Sequence, residues 1–170
     1  MKVSWNEALD YAEWVGKRLP TEAEWDMLHV GDGITHDDAN FLSLQKDRKD
    51  KWMYSAPIGS FDPNGYGLYD MVGNVAEWCS DLYDAEYYSA SPVKNPLGPN
   101  QDTRYQVLRG AAWKTMISLP GKGWSSLSVS SRNPTPKHEK YDICGFRCVI
   151  DVDGNGPPKL NPEGKIWNGN

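Results

Sequence analysis

Two capping boxes within the first 24 residues constrain the start of this fold more tightly than anything else in the chain. Ser4 with Glu7, and Thr21 with Glu24, each set a hydroxyl and a carboxylate three residues apart. In such a pair each side chain satisfies a backbone N–H that the start of a helix leaves free. After the first box, Trp5, Ala8, Leu9, Ala12 and Val15 recur at helical spacing and form one apolar face. Gly16 supplies the left-handed stop. After the second box, Trp25 and Leu28 line a shorter helix that ends before Gly31-Asp32-Gly33. The joint between the two helices, Lys17-Arg18-Leu19-Pro20, is a tight basic turn.

The rest of the chain is punctuated differently. Sixteen glycines and twelve prolines favour a loop-rich fold over a helical bundle. Residues 31–62 show little periodicity and read as a long loop, of the kind that is functional or held by something other than a core. Asp62-Pro63-Asn64-Gly65 is turn chemistry. The stretch from Gly67 to Trp78 is short and glycine-punctuated, and residues 84–104 read as a second exposed loop. Tyr105 to Trp113 and Ile143 to Ile150 are expected to be short strands. From Asp151 onward the chain has three prolines and few apolar residues. The expected organisation is therefore one α+β domain over residues 1–150 and an extended tail or linker over 151–170.

Composition excludes several classes of function. A net charge of −5 argues against nucleic acid as a partner, since phosphate binding needs a concentrated basic surface. No apolar run reaches membrane-spanning length, and no charged-then-apolar leader is visible. Eight Trp and nine Tyr against three Phe favour a core tied by side-chain hydrogen bonds, or an aromatic binding surface. The three cysteines, Cys79, Cys144 and Cys148, allow at most one bridge. On a strand, Cys144 and Cys148 stand on one face about 13 Å apart, too far to bridge or share a metal unless the strand bends.

Four segments, in this order, resemble the formylglycine-generating enzyme family, also called the sulfatase-modifying-factor family. The first runs from Val3-Ser4-Trp5-Asn6-Glu7-Ala8 to Gly16-Lys17-Arg18-Leu19-Pro20-Thr21-Glu22-Ala23-Glu24-Trp25. The second is Asn64-Gly65-Tyr66-Gly67-Leu68-Tyr69-Asp70-Met71-Val72-Gly73-Asn74-Val75-Ala76-Glu77-Trp78. The third is Val107-Leu108-Arg109-Gly110-Ala111-Ala112-Trp113, and the last is Gly145-Phe146-Arg147. The resemblance implies a C-type-lectin-like fold with short antiparallel strands. It also implies a domain whose N-terminal part lies outside this chain, and an extracytoplasmic, periplasmic or secreted setting.

Active members of that family use two cysteines, a few residues apart, to bind copper(I) and activate oxygen for oxidation of a sulfatase cysteine. At the matching positions this chain carries Thr115 and Pro120. Copper(I) selects soft thiolate ligands, which neither residue can supply, so copper is not expected and no residue is assigned a catalytic role. Met116 is a soft side chain in the same stretch, more often used for packing. Cys148 resembles a family cysteine that pairs with one in the first helix, but the partner position here is Ala12.

Calcium is the expected cofactor. The family's site implies ligation by the side chains of Asp70 and Glu77 and the carbonyls of Gly73 and Val75, hard oxygen donors that suit the ion. The alternative for the two carboxylates is to cap turns or pair with Arg109. A second family site falls on Asn40 and Asp50 by side chain, with Phe41 and Trp52 by carbonyl, against the alternative of a solvated acidic loop. In the tail, Asp151-Val152-Asp153-Gly154-Asn155-Gly156 imitates the first half of an EF-hand loop, but Pro162 stands where glutamate is required.

Two readings of function follow. The first is a non-catalytic module for protein or ligand binding or for assembly, within a larger complex that supplies the missing N-terminal part. Its candidate surface runs from Lys114 to Lys140 with Trp113, Trp124 and Arg132. The second is an oxidoreductase of the formylglycine-generating or related sulfur-oxidising type that draws on parts outside the chain. Arg109, Arg132 and Arg147 also fit a structural role, stacking on rings and tying loops to carboxylates. His29, His36 and His138 lack ligand-like spacing, and the serines between 125 and 131 have no base motif beside them.

Overall fold

Both helices form where the capping boxes place them. A computed structural model describes residues 2–28, 34–42, 52–101, 103–115 and 131–151. Helix α1 spans Trp5–Trp14 and α2 spans Glu22–Met27, and at each N-terminus both hydrogen bonds of the box are made. Gly16, at φ 70°, ends the first. No described helix is long and apolar enough to cross a membrane.

The remaining elements are β1 (Ala76–Leu82), a single helical turn α3 (Tyr87–Ala90), β2 (Tyr105–Arg109), β3 (Asn133–Pro136) and β4 (Cys144–Gly145). The strands form one mixed sheet in the order β3-β2-β1-β4. The β1–β2 and β2–β3 pairs are antiparallel and β1–β4 is parallel. Every residue of β1 is buried, because both faces of the sheet are covered. On one face Ala76, Trp78 and Leu108 pack with Trp5, Leu9, Ala12 and Leu19. On the other, Cys79 and Val107 pack with Trp25 of α2 and with Met71.

The first face is fastened by indole hydrogen bonds as well as by apolar contact. Trp5 Nε1 donates to the Cys79 carbonyl at 2.8 Å, and Trp78 Nε1 to the Val3 carbonyl at 3.0 Å. The Ser80 amide donates to the Pro20 carbonyl at 2.9 Å. These bonds draw the Cys79–Ser80 backbone out of the ladder, and the β1–β2 register shifts between Trp78 and Leu82.

Both expected strands are shorter than the sequence suggests. The one over Tyr105–Trp113 stops at Arg109, because Gly110 takes φ 74° and lets the backbone pass beside the Trp25 ring. The one over Ile143–Ile150 shrinks to Cys144–Gly145. Beyond it Arg147 turns inward to Glu77, and Val149 pairs with Arg18 in an isolated bridge. Asp151 is held by the Arg18 guanidinium at 2.6 Å. The expected tail, apart from Asp151, lies outside the described residues, as does the EF-hand-like stretch that follows it.

Candidate functional site

The Gly73-Asn74 dipeptide ties together the loops around the expected calcium ligands. Asn74 adopts φ 59° and is 4 % exposed. Its amide donates to the Asn40 carbonyl at 2.8 Å, and its carbonyl accepts from the Trp113 amide at 2.9 Å. Its side chain exchanges two hydrogen bonds with the backbone of Ala56, at 3.0 and 3.3 Å. One residue thus joins three separate loops to the head of β1. Gly73, at φ 77°, runs so close to Asn40 that a Cβ would lie 2.6 Å from the Asn40 carbonyl oxygen. Gly73 of the first expected calcium set therefore lies against Asn40 of the second.

Within the first set the carboxylates have separate partners. Asp70 adopts φ 55°, and its Oδ2 accepts from the Gly59 amide at 3.0 Å. Glu77 accepts from Trp25 Nε1 at 3.0 Å and from both the Nε and a terminal nitrogen of Arg147, the latter at 2.7 Å. Arg147 donates as well to the Tyr69 carbonyl at 3.1 Å. Burial works against the Arg147 charge, but the Glu77 carboxylate outweighs it and holds the guanidinium above its usual range. The alternative of pairing with Arg109 does not occur. Arg109 is fully buried, pairs with Asp26 and Glu22, and lies over the Trp25 ring.

In the second set Asn40 is 1 % exposed. Its Nδ2 donates to the Tyr54 carbonyl at 2.7 Å, and its Oδ1 is sealed from solvent without a hydrogen-bond partner among the described residues. Phe41 is buried and stacks on His36 at 4.0 Å, and Trp52 packs edge-on against Phe61. Asp50 lies outside the described residues. Among the described residues no group of three or more His, Cys, Asp and Glu side chains is arranged to hold a metal.

On the candidate binding surface, Trp113 is half-buried and meets Tyr54 edge-on at 5.2 Å, with the Lys114 ammonium 5.9 Å from its ring centre. Tyr54 is well exposed. The sequence offered no signal for it, since only the fold brings residue 54 beside 113. Thr115 closes a turn: its hydroxyl accepts from the Ala112 amide at 2.9 Å, and its carbonyl accepts from the Leu42 amide at 3.1 Å. Trp124, Met116 and Pro120 lie outside the described residues. Arg132 is engaged internally. It grips Glu22 with two hydrogen bonds at 2.6 and 2.9 Å, donates to the Asp84 carbonyl at 2.8 Å, and lies between the rings of Tyr83 and Tyr88.

All three cysteines are free. Burial pushes the Cys79 thiol well above its ordinary value and the Cys144 thiol up to about 11. Cys148 packs against the cluster that contains Ala12 and Cys144. These thiols belong to the interior.

Residues 1–152 match the sulfatase-modifying factor enzyme 1-like domain. The chain belongs to that family. Among its sulfatase-modifying-factor relatives, the formylglycine-generating enzyme of Streptomyces coelicolor is 35% identical over 168 residues, 89% of this chain and 52% of the relative. The serine/threonine-protein kinase pkn1 of Chlamydia caviae is 42% identical over 166 residues, 88% of this chain and 24% of the kinase. The inactive C-alpha-formylglycine-generating enzyme 2 of Bos taurus is 34% identical over 175 residues, 93% of this chain and 52% of the relative. The chain thus spans between a quarter and a half of the length of these relatives. The structure of PvdO from Pseudomonas aeruginosa superposes with a TM-score of 0.65 at 25% identity, covering 85% of this chain and 58% of PvdO.

Proposed function

We propose that this chain is a non-catalytic member of the sulfatase-modifying-factor family, a calcium-stabilised module on a C-type-lectin-type scaffold that binds a protein or small ligand. The observation that carries the reading is at Thr115. By the family resemblance Thr115 falls where active relatives carry a thiol; its hydroxyl is bonded to the Ala112 amide, while Cys79 and Cys144 are buried and Cys148 is half-buried against the core. A hydroxyl is too hard and too weakly acidic to take a thiolate's place on copper(I). A relative named inactive matches over 93% of this chain, in keeping with the reading.

The binding surface is centred on Trp113, Tyr54 and Lys114. Both rings stand on backbone anchored by hydrogen bonds to Asn74 and Asn40, so little ordering entropy is lost when a ligand packs against them. By analogy with the kinase relatives, the module serves as one part of a larger protein or complex. An extracytoplasmic setting belongs to the same reading and is checked by fractionating cells that express the full-length protein.

The oxygen donors at both expected calcium sets suit a hard cation. The feature that favours an ion is Asn40 Oδ1, a buried acceptor without a partner among the described residues, since such groups in folded proteins are almost always satisfied. Asn40 and Asp50 would hold calcium by side chain, with the Phe41 and Trp52 carbonyls. Asp70 and Glu77 would do so with the carbonyls of Gly73 and Val75, Glu77 sharing its charge with Arg147. The ion's contribution is to hold these loops without apolar burial.

An oxygen-electrode assay with copper(I) and a Cys-x-Pro-x-Arg peptide tests the non-catalytic assignment. No oxygen uptake above the peptide-only rate is expected. Formylglycine in the peptide, detected by mass spectrometry, would overturn the proposal in favour of the oxidoreductase reading.

A further inference from the structure

At the far end of β1, two buried carboxyl groups lie side by side beneath a loop. Asp81 is 2 % exposed, and its Oδ2 accepts from the Glu22 amide at 2.7 Å and from the Ser80 hydroxyl at 3.2 Å. Glu22 is 1 % exposed. Its two oxygens are taken by Arg132, and Arg109 stands 3.4 Å from one of them. Arg132 is aimed at Glu22 and Arg109 is shared between Glu22 and Asp26, while among the described residues the donors to Asp81 are neutral.

The segment over residues 84–101 is held across these carboxyls through Gly98, Tyr88 and Asp84. Gly98, at φ 84°, presses so closely that a Cβ on it would lie 2.9 Å from the Asp81 Cβ. The Gly98 amide donates to the Tyr87 hydroxyl at 3.1 Å. Tyr88 covers the Arg132 guanidinium at 4.8 Å, and the Asp84 carbonyl accepts from it. Buried at 2 % exposure with only neutral donors and no cation bonded to it among the described residues, Asp81 is costly to hold as an anion.

We propose that Asp81 is a proton-operated latch for the 84–101 strap, which lies closed over Arg132 while Asp81 keeps its proton and loosens when the proton leaves. The groups that face Asp81 all bear on this. From α2 there is the Glu22 carboxylate. From β1 there are the Ser80 hydroxyl, the Cys79 thiol and, further along, Glu77. From the strap there are Asp84, Tyr87 and Tyr88, and from across the sheet Arg132, held by Glu22, and Arg109, shared by Glu22 and Asp26.

Burial first, and then the Glu22 charge, push the Asp81 carboxyl up to about 7. In the unfolded chain an aspartate titrates at about 4. Between those values the folded protein holds a proton that the unfolded chain has lost. This group's contribution to stability is therefore largest below about pH 4 and falls as pH rises, up to about 7. The strap is the part of the structure that can relieve the cost, by letting water reach the carboxylate.

Hydrogen exchange on the full chain, corrected for intrinsic rates, tests the latch. Protection over residues 84–101 should fall about tenfold or more between about pH 5.5 and about pH 8.5, while protection in α1 changes little. Asp81→Asn should remove that difference. Equal protection of the strap at both pH values in the wild type would overturn the proposal. Should Asp81→Asn fail to fold, the carboxyl carbon of Asp81 can be titrated by NMR in the wild type. A midpoint near neutrality supports the latch, and one in the ordinary carboxylate range sinks it.

Discussion

Glycine at position 73 is held there by two independent constraints. Its φ of 77° disfavours any side chain, and the Asn40 carbonyl occupies the place of a Cβ. Gly73→Ala should cost about 3 kcal/mol, adding a backbone collision to about 1 kcal/mol of left-handed strain, measured by urea denaturation. Glu77 is constrained by charge. Replacing it with glutamine leaves the Arg147 guanidinium, 20 % exposed by side chain, without its anion. Glu77→Gln should cost about 2–4 kcal/mol, and Glu77→Gln with Arg147→Met should recover part of that loss in the same assay. Part of this was legible in advance, because the Gly-Asn-x-x-Glu-Trp motif marked both residues. The Arg147 partnership was not. Seventy positions separate the pair, and local spacing carries no information about a contact that only the parallel β1–β4 pairing creates.

At the scale of elements, legibility followed how local the determining chemistry is. The capping boxes act within four residues, and α1 and α2 start where those boxes place them. Strand β1 gave no period-two signal because both of its faces are covered, and Glu77, Ser80 and Asp81 sit buried among its apolar residues. The Ser80 hydroxyl bonds to its neighbour Asp81, but the two carboxylates are met by arginine, indole and backbone groups that sequence order does not bring near. Strand β3 was hidden by Pro134 and Pro136, which are tolerated because it lies at the sheet edge. What holds α1 to β1 is separable by substitution. Trp5→Phe keeps most of the apolar contact but strips the donor from the buried Cys79 carbonyl. It should lower stability by about 1–3 kcal/mol, more than Trp14→Phe on the exposed side of the same helix, as thermal denaturation would register.

Across the whole molecule, the sheet is packed on both sides by short helices, while the loops over 34–42 and 52–74 hang from Asn40 and Asn74. Family membership was readable from ordered motifs, whereas the contribution of Tyr54 to the Trp113 surface required three-dimensional proximity. If calcium occupies the loops, adding a chelator should lower the melting temperature by several degrees, and excess calcium should restore it (about 1 kcal/mol corresponds to about 2–4 °C at this size). An unchanged melting curve would remove calcium from the description. The Arg18 clamp has a consequence of a different kind. A single guanidinium grips Glu24 at 2.7 Å and Asp151 at 2.6 Å, next to a backbone bridge to Val149. The last described residues, Val149 to Asp151, are therefore fixed against the α1–α2 turn. A dye attached at the exposed Ile150 should therefore report the slow tumbling of the whole body, until Arg18→Ala unties the mooring.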